Sequence, residues 1–301
     1  MMAPEKDGGS YTLPLLPITS AATLASIKDL FVNQRDVFIA SFPKSGTTWM
    51  QAILLQLVAA AAGSTPGENL VSHISDFAPF LEADRSWDQS NPGCLADPAA
   101  ATHARLGWRA YNTHLLPNML PEGRECRIVY CVRDAKDVAT SEWHHFSHMA
   151  PEHGGFEGSL DAFVREWLAG SLAFGAWAPH VDTWLTAART DSRILVVRYE
   201  DLLADPATMV ARVAQHIGAD VPAARMKEQV LPRVSFAWMK EHESMFVPRS
   251  VRWVDKGDGF TFIRRGKSGD AHQLLDDDHR AAIDTATGEV ARKWGIELEA
   301  P

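Results

Sequence analysis

Asp36-Val-Phe-Ile-Ala-Ser-Phe-Pro-Lys-Ser-Gly-Thr-Thr-Trp-Met50 reads as a buried strand, a tight polar loop and the first turn of a helix. Val37, Phe38, Ile39 and Ala40 form a continuous apolar run of the kind a parallel sheet buries on both faces. Pro43 to Gly46 carry turn chemistry, and Thr47-Thr48 opens an apolar stretch that runs to about Ala62. Successive backbone N–H groups at a helix start converge on negative charge, the helix dipole adds to the attraction, and Lys44 brings a full positive charge. The segment therefore predicts an anion site suited to the phosphates of a nucleotide.

The common nucleoside-triphosphate loop needs Gly, four residues, then Gly-Lys-Ser/Thr. Here Lys44 precedes Ser45-Gly46 instead, so the lysine is displaced. Gly266-Lys267-Ser268 imitates the end of that motif, but Thr261 stands where the first glycine belongs and no apolar strand leads into it.

Further strands are expected at Arg127–Val132 and Ile194–Arg198, both continuous apolar runs. Helical patterns cover Asp137–Met149, Leu160–Arg189, Pro206–Ile217 and Asp277–Trp294, the last opened by the acidic triplet Asp276 to Asp278. Strands alternating with helices predict α/β architecture, a central parallel sheet flanked by helices. With 301 residues and no Gly/Ser/Pro-rich linker, the expected layout is an N-terminal segment, partly flexible, over residues 1–30, then one domain over 31–301.

Charge and composition narrow the partners. Lys+Arg 29 against Asp+Glu 38 gives −9, which argues against a nucleic-acid surface and requires any anion site to be a local cluster. Cys94, Cys126 and Cys131 have no paired spacing, which fits a reducing, cytoplasmic setting, and Cys131 reads as strand core. Met1 to Ser10 is polar, and Ile53 to Ala62 is interrupted by Gln56 and too short to span a bilayer, so no membrane partner is expected. His144, His145 and His148 imitate a metal cluster on a helix, yet no further ligands stand at suitable spacing, and no metal is expected. Glu82 and Asp84 could meet a cationic acceptor, though a solvated acidic face is the simpler account.

Several motifs, in order, resemble the cytosolic sulfotransferases, which take a sulfuryl group from 3′-phosphoadenosine 5′-phosphosulfate (PAPS) and leave 3′-phosphoadenosine 5′-phosphate (PAP). Phe42-Pro-Lys-Ser-Gly-Thr-Thr-Trp49 resembles the first signature of that family, Val132-Arg-Asp-Ala-Lys-Asp-Val-Ala-Thr-Ser141 its 3′-phosphate segment, and Phe262-Ile-Arg-Arg-Gly-Lys-Ser-Gly-Asp270 its third signature. Asn112-Thr-His-Leu115 resembles the segment with the catalytic histidine, Val197-Arg-Tyr-Glu-Asp201 that with the adenine-side tyrosine, and Ser235-Phe-Ala-Trp-Met239 the purine-sandwiching turn. The resemblance spans roughly Val37 to Asp270 and implies a P-loop-like sulfotransferase fold.

It also implies roles. Lys44 stabilises the leaving 5′-phosphate, Ser141 restrains that lysine until an acceptor arrives, and His114 takes the acceptor proton. Lys44, Ser45, Gly46, Thr47 and Thr48 hold the 5′-phosphate; Arg133, Ser141, Arg264, Arg265 and Gly266 hold the 3′-phosphate; Trp49, Tyr199, Ser235, Phe236 and Met239 hold adenine. Phe77 and Phe80 resemble an acceptor gate, and Phe146 and Phe246 extend an apolar pocket for a small hydroxyl- or amine-bearing acceptor beside His114. A sulfuryl group carries less charge than a phosphoryl group, so protein cations can take the place of a divalent metal. Departures from the family pattern fall at Asn112 and Arg265, where lysines are usual, and at Ala271 and His272, where a tryptophan and a lysine are usual. A kinase-like phosphotransferase and a nonenzymatic PAP-binding relative are the alternatives. The acceptor and the oligomeric state, monomer or homodimer, stay open.

Overall fold

The computed structural model describes residues 13–65, 70–90, 94–95, 106–123, 125–269 and 271–296. Four parallel strands, β1 (Asp36–Ser41), β2 (Arg109–Thr113), β3 (Arg127–Val132) and β4 (Ile194–Arg198), lie in the order β2-β1-β3-β4. All six residues of β1 are buried, as a central parallel strand requires. Alternation along it splits the core: Phe38 and Ala40 pack with Tyr111, Tyr130 and Trp184 on one face, whereas Val37 and Ile39 pack with Ile53, Leu57 and Val210 on the other. Registers such as Phe38 with Tyr111 and Ile39 with Val129 fix the sheet.

Helix α1 (Ala21–Lys28) precedes the sheet, capped by Ser20, and buries Ile27 against the first face together with Leu13 and Leu16. Helix α2 (Thr47–Ala61) follows β1, and twelve of its residues are buried, so it lies inside the second layer rather than at the surface. Helix α3 (Ala135–Phe146) follows β3, with Asp134 as its N-cap accepting from the Lys136 and Asp137 N–H groups. That is a shift from the expected Asp137–Met149, because the cap sits immediately after the strand.

The single helix expected over Leu160–Arg189 is two, α4 (Leu160–Ala169) and α5 (Trp177–Ala188). Gly170, at φ +70, ends α4 with its N–H on the Glu166 and Trp167 carbonyls, and Phe174 also takes a positive φ of 70. Beyond β4 come α6 (Tyr199–Ala204), α7 (Pro206–Ile217), α8 (Phe236–Glu241) and the long α9 (Asp277–Trp294).

The order β2-β1-β3-β4 makes the chain leave β1 toward one side of the sheet and leave β3 toward the other. A crevice opens outside the carboxyl ends of β1 and β3 at such a switch point, and Lys44 and Arg133 stand in the two loops that flank it.

Candidate active site

A cavity of about 320 Å³ occupies this crevice. Its phosphate-binding end is built by the loop after β1. Lys44 holds a left-handed backbone at φ 63, and Gly46 reaches φ 104 as the N-cap of α2. A Cβ on Gly46 would lie 2.9 Å from Cδ2 of Tyr199, so the glycine admits both the turn and the aromatic ring. Lys44, Gly46, Thr47, Thr48 and Trp49 line the cavity, whereas Ser45 is buried outside it.

Arg133 is fixed at the opposite rim. Its Nη2 donates to Asp137 Oδ2 at 3.0 Å and to the Lys267 carbonyl at 2.9 Å, and its guanidinium lies 4.3 Å from the Tyr199 ring centroid. Asp137 also accepts the Gly269 N–H at 3.0 Å, which ties the start of α3 to the C-terminal loop carrying Arg264, Arg265 and Gly266. Those three residues and Ser141 line the cavity. Asp270, the last residue of that loop's motif, lies outside the described residues. Arg265 bonds Gln273.

The aromatic residues expected around adenine converge. Trp49 donates its indole N–H to the Val234 carbonyl at 2.7 Å and meets Tyr199 edge-on at 5.6 Å. Phe236, 41% exposed at the start of α8, lies directly over Gly266. Met239 lines the cavity, but Ser235 does not: its hydroxyl caps α8, accepting from the Trp238 N–H and donating to the Pro232 carbonyl.

His114 emerges just after β2. Its Nδ1 lies 2.9 Å from the Ser41 carbonyl, which can only accept, so Nδ1 carries the proton and Nε2 keeps a lone pair. Burial, with His180 and Lys44 nearby, pushes its pKa down to about 3 against the supporting Ser41 bond. A neutral imidazole with an open Nε2 can accept a proton from a bound hydroxyl or amine. The Phe80 and Phe174 rings flank it at 5.6 and 5.0 Å.

Glu82 overturns the solvated-face account. It is fully buried, and its Oε1 accepts the His114 N–H at 2.5 Å and the Thr113 hydroxyl at 3.0 Å, while burial raises its pKa to about 8. Asp84 accepts from the Ser20 N–H and the Thr23 hydroxyl at the start of α1. Phe77 is a second correction: 1% exposed, it packs in the second core layer away from the cavity wall, whereas Phe80, Phe146 and Phe246 line that wall.

The three α3-region histidines diverge. His148 sets Nδ1 2.8 Å from the His144 carbonyl and Nε2 2.8 Å from Asp258 Oδ2, and His145 turns into the cavity, its Nδ1 3.2 Å from Lys44 Nζ. No group of three or more His, Cys, Asp or Glu among the described residues could hold a metal ion. Residues missed in the sequence reading are Asp137, His145, Phe174 and Glu142, the last buried beside Lys44 with one carboxylate oxygen on the Trp167 indole at 2.8 Å. Asp137 alone carried a signal, four residues after Arg133 in the same motif.

Residues 34–295 match the family model described as "Sulfotransferase domain". The chain is 29% identical to Sulfotransferase 1A1 of Bos taurus over 238 residues, covering 78% of this chain and 76% of that one. It is 30% identical to Sulfotransferase 1 family member D1 of Rattus norvegicus over 241 residues (78% and 76%) and 28% identical to 3-beta-hydroxysteroid sulfotransferase of Cavia porcellus over 262 residues (83% and 82%). In fold it is similar to mouse sulfotransferase SULT7A1 complexed with PAP, at TM-score 0.70 and 23% identity, covering 93% of this chain and 92% of that one. Retinol dehydratase in complex with androsterone and PAP gives TM-score 0.66 at 20% identity, covering 93% and 87%.

Proposed function

The chain belongs to the sulfotransferase domain family, and from that membership we propose that it transfers a sulfuryl group from PAPS to a hydroxyl or amine of a small-molecule acceptor. The observation that carries the reading is the meeting, in one cavity, of a neutral His114 with an open Nε2 and of Lys44 on the phosphate loop. The acceptor oxygen or nitrogen attacks sulfur as its proton passes to Nε2. The bond from sulfur to the bridging phosphate oxygen breaks, and the charge left on the 5′-phosphate meets the Lys44 ammonium and the N–H groups at the start of α2. Arg133, Arg264 and Arg265 would take the 3′-phosphate, with Ser141 beside them, while Trp49, Tyr199, Phe236 and Met239 would enclose adenine.

Lys44, Arg133, Arg264 and Arg265, gathered on one cavity, suit a transfer in which protein charge stabilises the leaving group. Membership of this family displaces the kinase-like reading. The wall around His114, with Phe80, Phe146, Phe174, Phe246 and Met149, favours an apolar ring-bearing acceptor, in keeping with the steroid named for the guinea-pig relative. Three free, buried cysteines support a reducing cytoplasm, and no described helix is long and apolar enough to cross a membrane. One sheet with continuous layers on both faces supports reading a single domain, and Leu13, Leu16 and Ile27 in the first of those layers join residues 13–30 to it rather than leaving them as a separate N-terminal segment.

Calorimetric titration with PAP, beside ATP with magnesium, tests the donor. Metal-independent PAP binding, followed by PAPS-dependent sulfation of phenols or hydroxysteroids, is the expected result. ATP binding with none for PAP would overturn the proposal.

A further inference from the structure

Lys44 has an unassigned neighbour. Its Nζ lies 3.2 Å from His145 Nδ1 and 4.5 Å from the centroid of the Phe262 ring. An ammonium has only donors, so Nδ1 must be the accepting nitrogen and the imidazole proton sits on Nε2. We propose that His145 is a positioning residue for Lys44: its Nδ1 accepts one ammonium N–H and, with the Phe262 ring beneath the charge, aims the other two at the transferring group. The inference rests on the sulfotransferase reading for what those two N–H groups meet.

The surroundings support a bond to neutral histidine. Burial, with Lys44 as the largest charge nearby, holds His145 well below its ordinary pKa, so its lone pair stays available. The Trp253 ring packs edge-on at 4.9 Å and Phe262 at 6.0 Å, which fixes the imidazole from the C-terminal side. Around Lys44 itself, burial disfavours the ammonium, Glu142 on α3 favours it only as its own carboxyl, raised to about 8, ionises, and the guanidiniums of Arg133 and Arg264 disfavour it further. His114, uncharged, stands across the cavity. With guanidiniums crowding it, the ammonium needs a close acceptor to remain charged and aimed, and His145 supplies one on the cavity side.

Trace acetylation with acetic anhydride, read by peptide mass spectrometry between about pH 6 and 10, follows the protonation of Lys44 without donor or acceptor. His145→Phe removes the accepting atom, and its labelling midpoint is expected to fall by about one pH unit, the worth of one hydrogen bond. His145→Gln, whose amide oxygen can accept, is expected to restore the midpoint. His145→Leu stands in should the phenylalanine variant not fold. With PAPS, His145→Phe should lose about tenfold in kcat while PAP affinity stays within about threefold. An unchanged midpoint in folded His145→Phe or His145→Leu, or an equal fall in His145→Gln, overturns the assignment. Failure of the wild-type protein to bind PAP would instead sink the sulfotransferase reading and leave the labelling result intact.

Discussion

At the scale of single residues, the site depends on two groups pushed away from their ordinary protonation. Burial takes His114 to about 3 and Lys44 down to about 8. The base is therefore unprotonated across the neutral range, and the cation is lost as pH climbs past about 8. With PAPS and acceptor both below saturation, kcat/KM, which reports the ligand-free protein, is expected to be flat from about pH 5 to 7 and to fall with a single alkaline limb near 8. A steep acid limb near the ordinary histidine value would contradict this neutral-histidine picture. His114→Ala is expected to lower kcat by about 10² to 10⁴-fold while leaving PAP affinity unchanged, measured by turnover and calorimetry together. Turnover at the wild-type rate would remove the base assignment. Neither perturbed value is a property of the residue type. Each arises because the chain folds a titratable side chain into an enclosed crevice whose partners come from distant segments.

At the scale of elements, the loops after β1 and β3 and the C-terminal loop are held together by contacts that a glycine permits. Gly266 takes φ +59, and a Cβ there would lie 2.2 Å from Cδ2 of the Phe236 ring. Gly266→Ala therefore meets both the left-handed backbone cost of about 1–2 kcal/mol and a collision that must turn the half-exposed ring away. The expected result is about a tenfold loss of PAP affinity, since aromatic packing of this kind is worth about 0.5–1.5 kcal/mol. Gly257→Ala is the control, because Gly257 has φ +72 but nothing within 4 Å of its Cβ position. Equal PAP affinity in the two variants would show that Phe236 does not contribute to the nucleotide site. Asp137 acts at the same scale. By accepting from Arg133 on one side and from the Gly269 N–H on the other, it makes α3 and the C-terminal loop one rim.

At the scale of the whole molecule, buried titratable groups set opposing demands on folding. His114, His145 and His180 have lowered values, so the unfolded chain binds more protons than the native one below about 6.5, and stability falls as pH drops from there. Glu82 and Glu142 are raised to about 8, so their contribution is full below about 4.5 and is lost as pH rises toward 8. Thermal unfolding followed against pH is expected to show a maximum Tm near about 6, falling on both sides, and a monotonic profile would contradict the buried-neutral assignment of these five groups. Much of this molecule was legible in the chain itself. The apolar runs at Val37–Ala40, Arg127–Val132 and Ile194–Arg198 and the loop ending at Gly46 determined a parallel α/β sheet with an anion site after β1, because strand burial and turn chemistry are local properties. The break of the expected Leu160–Arg189 helix was carried only weakly, by Gly170 and Gly175, since its apolar periodicity continues on either side. The placement of Glu82 under His114, of His145 against Lys44, of Phe174 beside the imidazole and of Phe77 in the core was decided by tertiary structure alone. Those pairings join residues 32 and 101 positions apart in the first two cases, and no local pattern encodes which buried side chain a long-range fold brings to which neighbour.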